Sequence, residues 1–127
     1  MILGVDLGEK TTGLAISQGE LASPLKTITH KNQKQALIKI LALCGELDID
    51  QAVIGYVEGK IKPMFETFAK KLQIARPGLS VVLWDETLTS RQATDYMVKL
   101  GIAKRKRGQK QHEVAAALIL QSYLDSQ

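Results

Sequence analysis

The chain has 127 residues, of which 45% are hydrophobic and 24% charged, and its formal net charge is +4. We therefore expect one globular domain, residues 1–127, that forms a core without disulfides or structural metals. The sequence lacks the run of about 18 apolar residues that a membrane span needs and the features of a secretory signal peptide. Its only cysteine, Cys44, excludes an internal disulfide and a cysteine-based zinc site, so we expect a cytoplasmic protein with no membrane partner.

The N-terminal stretch Met1–Ser17 contains two apolar runs separated by a short segment around Gly8. This pattern predicts two strands joined by a tight turn. A single acidic residue, Asp6, interrupts the first run. An ionised carboxylate near the end of a buried strand is costly unless something pairs with it, and a divalent cation is one such partner. The sequence leaves open whether Asp6 binds a cation or caps the turn at Gly8.

The remaining elements follow from hydrophobic spacing and from turn residues. We predict, in chain order, a strand at Leu21–Thr29, a helix at Lys31–Leu47, a strand at Gln51–Tyr56, a helix from Pro63 that stops at Pro77–Gly78, a strand at Ser80–Trp84, a helix from Thr89 to Gly101 and a last helix at Gln111–Leu124. Pro24 cannot donate a ladder hydrogen bond, so its strand is predicted at a sheet edge. The alternation of helices and strands indicates parallel crossovers, and hence a mixed α/β sheet with helices on both faces.

Acidic residues end two of the predicted strands, Asp6 in the first and Asp85–Glu86 after the last. If these strands are neighbours or one apart, their carboxylates converge at the carboxyl edge of the sheet and can hold Mg²⁺ or Mn²⁺. A metal held in this way assists phosphoryl displacement. His112 or Glu113, in the first turn of the last helix, could add a third ligand. Alternatively, His112 lies in solvent and the Asp85–Glu86 pair belongs to a strand-end turn.

A basic loop, residues 104–110, is predicted just before the last helix. Its cationic side chains are those of Lys104, Arg105, Lys106, Arg107 and Lys110. They would lie at the rim of a site formed there and could contact the phosphates of a nucleic acid without reading its sequence. The alternative is a solvated charged loop. Only 5% of the residues are aromatic, so a stacking platform for single strands is not indicated.

Five segments of the chain resemble the YqgF family, also called RuvX, a Holliday-junction-resolvase-like group regarded as endonucleases for the precursor of 16S ribosomal RNA. In chain order the segments are GVDLGEKTTGLAIS, ASPLKTI, AVIGY, WDETLTSRQA and AALILQSYLD. The resemblance implies a ribonuclease-H-like fold, with a mixed five-stranded sheet of order 3-2-1-4-5 in which strand 2 is antiparallel.

By position, the resemblance makes Asp6 the first-strand acid and Glu86 the second carboxylate that binds metal. The acid that the family carries in its last helix corresponds to His112, which is implied as a third metal ligand or as the group that positions water. Asp6, Glu86 and His112 are thus the implied catalytic and metal-binding residues. Thr87 stands where the family has arginine, and the loop after Gly55 is shorter than in the family, which bears on how substrate fits.

The expected function is a Mg²⁺- or Mn²⁺-dependent endonuclease that cleaves structured RNA, specifically pre-16S rRNA during ribosome biogenesis. Two alternatives stay open: a resolvase-like nuclease for DNA junctions, and a protein that binds RNA or the ribosome without cleaving it. A nucleotide-binding function of the actin-like type, suggested by Asp6-x-Gly8 with Thr11 and Gly13, lacks a second phosphate loop in this sequence. The oligomeric state, monomer or homodimer, is left open.

Overall fold

The structure is a computed structural model that describes residues 1–87, 95 and 104–127, with the side chains of residues 104–110 excepted. Its elements are, in chain order, β1 (Ile2–Leu7), β2 (Thr11–Ser17), β3 (Ala22–Thr29), α1 (Gln33–Glu46), β4 (Gln51–Tyr56), α2 (Lys62–Ala75), β5 (Ser80–Asp85) and α3 (Lys104–Asp125). The predicted helix at 89–101 lies outside the described residues, except for Asp95.

The five strands form one mixed sheet in the order β3-β2-β1-β4-β5. Strand β2 is antiparallel to both β1 and β3, whereas β1, β4 and β5 run parallel to one another. This arrangement confirms the predicted fold, including the strand order that the family resemblance implied. It also confirms that the strand with Pro24 lies at an edge, where a residue without an N–H costs no ladder hydrogen bond.

The two faces of the sheet carry different side chains because successive strand residues point in opposite directions. In β1, Leu3, Val5 and Leu7 belong to a large apolar core with α1 and α2. The alternate residues of the central strands face α3 instead. There Ala15 of β2 and Val53 of β4 contact a smaller cluster with Ala116, Ala117, Ile119 and Leu120 of α3.

Helices α1 and α2 cover the first face with residues spaced at three and four positions. Helix α1 begins after Asn32, whose side-chain oxygen accepts a hydrogen bond of 2.8 Å from the backbone N–H of Gln35. Helix α2 has Pro63 in its first turn, as predicted. The buried residues that anchor the two helices are Ala36, Ile40, Leu43 and Cys44 of α1 and Phe65, Phe68 and Leu72 of α2.

The last helix is longer than predicted. Helix α3 begins at Lys104, so the backbone of residues 104–110 is helical, and the prediction of a basic loop there is wrong. Lysine and arginine are good helix formers, and a run of them is compatible with the first turns of a helix as well as with a loop. Within the described ranges, the helices do not combine the length and apolar character that a membrane span requires.

Candidate active site

Asp6 is the fifth residue of β1 and lies on the face of the sheet that α3 covers. In the antiparallel pair of β1 and β2 it stands opposite Gly13. Its neighbours along the strand, Val5 and Leu7, are buried on the other face. The alternation of β1 therefore forces the Asp6 carboxylate towards α3, where the side chain is half-buried.

Glu86 follows β5 directly and also faces α3. Its backbone N–H donates a hydrogen bond of 2.9 Å to the carbonyl of Tyr56, which continues the ladder with β4. Two residues earlier, Trp84 packs on α3, with its indole N–H donating to the Ser122 hydroxyl at 3.0 Å. Because residues two apart in an extended chain share a face, Glu86 points to the same side as Trp84.

Asp85 has a different role from Glu86. One of its carboxylate oxygens accepts hydrogen bonds from the backbone N–H of Thr87 at 2.9 Å and from the Thr87 hydroxyl at 2.8 Å. These bonds hold the pKa of Asp85 below its usual value. The predicted strand-end turn therefore applies to Asp85, and Thr87 closes that turn.

The carboxyl groups of Asp6 and Glu86 meet across β4. Strands β1 and β5 are separated by β4, and neighbouring strands are about 4.8 Å apart. At the crossing point β4 has Gly55, and a Cβ atom built there would lie 2.8 Å from Oε2 of Glu86. The two carboxyl groups are hydrogen-bonded to each other. The missing side chain of Gly55 therefore leaves the space in which the two acids converge.

His112 is brought to the same place by the close approach of α3 to β2. A Cβ atom built at Gly13 would overlap the carbonyl group of His112, so only glycine allows this contact. The imidazole Nε2 lies 3.5 Å from the Thr11 hydroxyl oxygen, and the charge of His112 acts on Asp6. The His112 side chain is exposed, whereas Glu113 is half-buried on the next position of the helix.

In the folded protein the pKa values of Asp6 and Glu86 are both raised. Burial raises the pKa of Asp6, although the hydrogen bond with Glu86 and the charge of His112 oppose this shift. Burial, together with the nearby charge of Asp6, raises the pKa of Glu86 to about 7. At neutral pH the pair therefore retains part of one proton, because two close carboxylates cannot both ionise freely.

The pair suits a hard divalent cation. Such cations prefer carboxylate oxygens, and their charge would allow both acids to ionise. In the part of the chain that the structure describes, no three His, Cys, Asp or Glu side chains form a cluster that could enclose a metal ion. Asp6 and Glu86 are the two carboxyl groups that such a cation would contact, and His112 lies beside them. The assignment of His112 as a third ligand stays a prediction.

Sequence reasoning singled out Asp6, Glu86 and His112 but gave Gly13, Gly55 and Thr11 no role in this site. Glycine within an apolar strand pattern often indicates close approach of another backbone, and this signal was present in the sequence at both Gly13 and Gly55. The side chains of Lys104, Arg105, Lys106, Arg107 and Lys110 lie outside the described residues. Their backbone forms the first turns of α3, which lead directly to His112.

The sequence model of the family described as "RuvX: Holliday junction resolvase" matches residues 1–126. A relative from Syntrophus aciditrophicus is 38% identical, with 98% of this chain and 88% of the relative covered. A relative from Listeria monocytogenes is 37% identical, with 98% and 97% covered. Both carry the name "Putative pre-16S rRNA nuclease".

Solved structures of two resolvases share the fold. The fowlpox virus Holliday junction resolvase has a TM-score of 0.64 at 14% identity, with 99% of both chains covered. RuvC of T. thermophilus, solved in complex with a Holliday junction substrate, has a TM-score of 0.65 at 13% identity, with 98% of this chain and 93% of RuvC covered. At these identities the likeness concerns the fold alone. The family match and the near-full-length relatives together show that this chain belongs to the RuvX family of Holliday-junction-resolvase-like proteins.

Proposed function

We propose that the protein is a divalent-metal-dependent endonuclease that hydrolyses phosphodiester bonds in structured RNA, with the precursor of 16S ribosomal RNA as its substrate. The observation that carries the proposal is the half-buried pair of carboxyl groups of Asp6 and Glu86, hydrogen-bonded to each other at the carboxyl edge of the sheet. The names of the relatives from Syntrophus and Listeria support the choice of substrate.

In this proposal Asp6 and Glu86 hold Mg²⁺ or Mn²⁺. The cation, when bound, polarises the phosphate and activates the attacking water. Gly55 keeps the space between the two acids free, and Gly13 allows α3 to carry His112 to the rim. The Thr11 hydroxyl, 3.5 Å from Nε2 of His112, orients the imidazole. From there His112 acts as a further ligand or positions the water by accepting its proton.

The basic residues at the start of α3 have a supporting role. We expect Lys104, Arg105, Lys106, Arg107 and Lys110 to contact backbone phosphates and to supply affinity that does not depend on sequence. Their contribution should weaken as salt is raised, because each phosphate contact releases bound counterions. The site itself would still determine which bond is cut.

The test compares wild type with Asp6→Asn on a pre-16S RNA fragment and on a four-way DNA junction, with Mg²⁺ or Mn²⁺. We expect the RNA to be cleaved, and Asp6→Asn to lower the rate at least about 100-fold, because it removes a ligand worth several kcal/mol of transition-state stabilisation. Asp48→Asn is the matched control, since Asp48 is exposed and precedes β4 at the opposite end of the sheet.

Equal cleavage by wild type and Asp6→Asn would remove the acidic pair from the mechanism. Cleavage of the junction but not of the RNA would make the protein a resolvase-like DNA nuclease. A readout that is independent of activity is the thermal shift on adding Mn²⁺. We expect this shift for wild type and for Asp48→Asn, and its loss in Asp6→Asn.

A second candidate function is RNA binding without catalysis. Two points favour it: the family resemblance implies an acid at the position of His112, and the described residues contain no cluster of three metal ligands. Binding of the RNA fragment that depends on salt, is insensitive to chelator and is not followed by cleavage would support this function. Loss of the Mn²⁺ shift in Asp6→Asn would count against it.

A further inference from the structure

A groove of about 530 Å³ lies between α1 and α2, away from the acidic pair. Both helices pack on the face of the sheet opposite to α3, so the groove and the candidate active site are on different sides of the molecule. The groove is lined mainly by Lys34, Leu37, Met64, Thr67, Phe68 and Lys71. The proposed nuclease function uses none of these residues.

The floor of the groove is apolar. Leu37 of α1 and Met64 of α2 are half-buried against the core, and Phe68 is only 3% exposed. Methionine adapts its shape to different neighbours and is common at surfaces that bind protein segments. The floor therefore offers a place for one or two large apolar side chains of a partner.

The charged side chains that line the groove are both lysines. Lys34 lies on the α1 side and Lys71 on the α2 side, and both are exposed. Neither ammonium group has a hydrogen bond or an ion pair with any residue that the structure describes. Two unpaired cations on opposite walls of an apolar floor are complementary to a segment that has acidic residues beside its apolar ones.

We propose that this groove docks a short amphipathic segment of another protein, in which acidic residues flank large apolar side chains. The apolar residues contact Leu37, Met64 and Phe68, and the acids pair with Lys34 and Lys71. This is the mode in which an amphipathic segment lies in a hydrophobic groove. The inference is independent of the proposed nuclease function, because the groove shares no residue with the acidic pair.

Other occupants fit less well. A nucleic acid needs a continuous cationic track or exposed aromatic rings for stacking. Phe68, the one aromatic residue among the described residues that line the groove, is only 3% exposed. A second copy of this chain carries the same net charge of +4, so approach of two copies is opposed by charge. Charge and floor chemistry together favour an acidic protein segment.

The test is selection of short random peptides by display on the purified full chain, followed by affinity measurement on the enriched peptides. We expect the enriched peptides to be net negative and to contain at least two large apolar residues. The double variant Lys34→Glu/Lys71→Glu should weaken binding of a synthetic enriched peptide at least about tenfold. The control Lys26→Glu/Lys70→Glu makes the same change in net charge outside the groove and should leave binding near the wild-type value.

A second variant tests the groove without changing its lysines. Thr67 is exposed and lines the groove, so Thr67→Glu should repel the acidic peptide and weaken its binding, while a thermal melt verifies that the fold is retained. The proposal is overturned if no peptide is enriched, if the enriched peptides lack acidic residues, or if the two double variants bind equally. It is also overturned if a single-stranded RNA oligonucleotide competes with the peptide and loses affinity only in Lys34→Glu/Lys71→Glu.

Discussion

The two faces of the sheet differ in what their side chains do. The face under α1 and α2 carries large aliphatic residues, such as Leu3, Val5 and Leu14, and all three are completely buried. On the face under α3, glycine and alanine residues accompany Val53, Trp84 and the two acids. There the backbone of α3 comes so close to β2 and β1 that a Cβ at Gly13 would overlap it, and one at Gly4 would lie 2.8 Å from Cβ of Leu120.

One face of the sheet therefore contributes mainly to stability, and the other carries the candidate active site. Burial of large side chains is the main source of folding free energy, and the α1–α2 face supplies it. On the α3 face, glycine and alanine take the place of some large side chains and make room for a helix and two carboxyl groups. Functional sites commonly sacrifice stability in this way. Substitutions on the two faces should therefore have different consequences.

The largest effects are expected at two neighbouring residues of β2 that face opposite ways. Leu14→Ala removes a buried side chain and should cost about 2–5 kcal/mol of unfolding free energy, with cleavage per folded molecule retained. Gly13→Ala should cost about 1–3 kcal/mol through overpacking against His112 and should also abolish most cleavage. Denaturant unfolding and a cleavage assay on the same samples check both. Equal loss of cleavage per folded molecule in the two variants would contradict the separation of roles.

Gly55→Ala should have a smaller effect on stability than Gly13→Ala. Its new Cβ would lie 2.5 Å from Cδ1 of Ile119 and 2.8 Å from Oε2 of Glu86, which are ends of side chains that can move. We expect a cost nearer about 1 kcal/mol. Because Glu86 must move away from Asp6, the thermal shift on adding Mn²⁺ should weaken. An unchanged Mn²⁺ shift would show that the gap above Gly55 does not position the acid.

Removal of one acid should stabilise the protein when no divalent cation is present. The folded-state pKa of Glu86, about 7, exceeds its ordinary value of 4.5, so the folded state binds more protons between these values and stability falls as pH rises through them. In EDTA at about pH 8, Glu86→Gln should gain on the order of 1 kcal/mol, or a few degrees in Tm. Glu46→Gln is the control, because it makes the same change at an exposed residue. An equal gain in stability in this variant would refute the explanation.

The smallest effect concerns a buried polar pair on the α1–α2 face. Nε2 of His30 lies 2.7 Å from the Thr12 hydroxyl, and both residues are buried. Burial, together with the charges of Lys39 and Lys10, lowers the pKa of His30. The unfolded state therefore binds the proton more readily, and stability contributed by neutral His30 is lost as pH falls below the ordinary value of 6.5.

This loss should be no steeper than about 1.4 kcal/mol per pH unit, the limit for a single proton. It is measured as the difference in unfolding free energy between wild type and His30→Gln at about pH 7.5 and pH 5.5. Because the Asp6–Glu86 pair is present in both proteins, its own pH dependence cancels. A difference that does not change with pH would show that His30 does not titrate with folding.

Most of the fold could be predicted from the order of apolar runs. The strand at Gln51–Tyr56 was predicted at its exact bounds, and Pro24 correctly indicated an edge strand. The predicted start of the last helix was wrong. A run of lysine and arginine contains no apolar residues at helical spacing, so it does not distinguish a loop from a solvent-exposed helix. The strand order itself came from the family resemblance, since alternation of helices and strands leaves several orders possible.

What the sequence alone determined was which groups are available: an acid inside a strand at Asp6, acids at the end of another strand at Asp85–Glu86, and a histidine, His112, in the last helix. Tertiary structure decided which of them meet. Strand alternation turned Glu86 inwards and left Asp85 in a turn, and Gly55 opened the space between Glu86 and Asp6. Asp6 and Glu86 are 80 positions apart in the sequence, so their distance depends on strand order and register and not on local pattern.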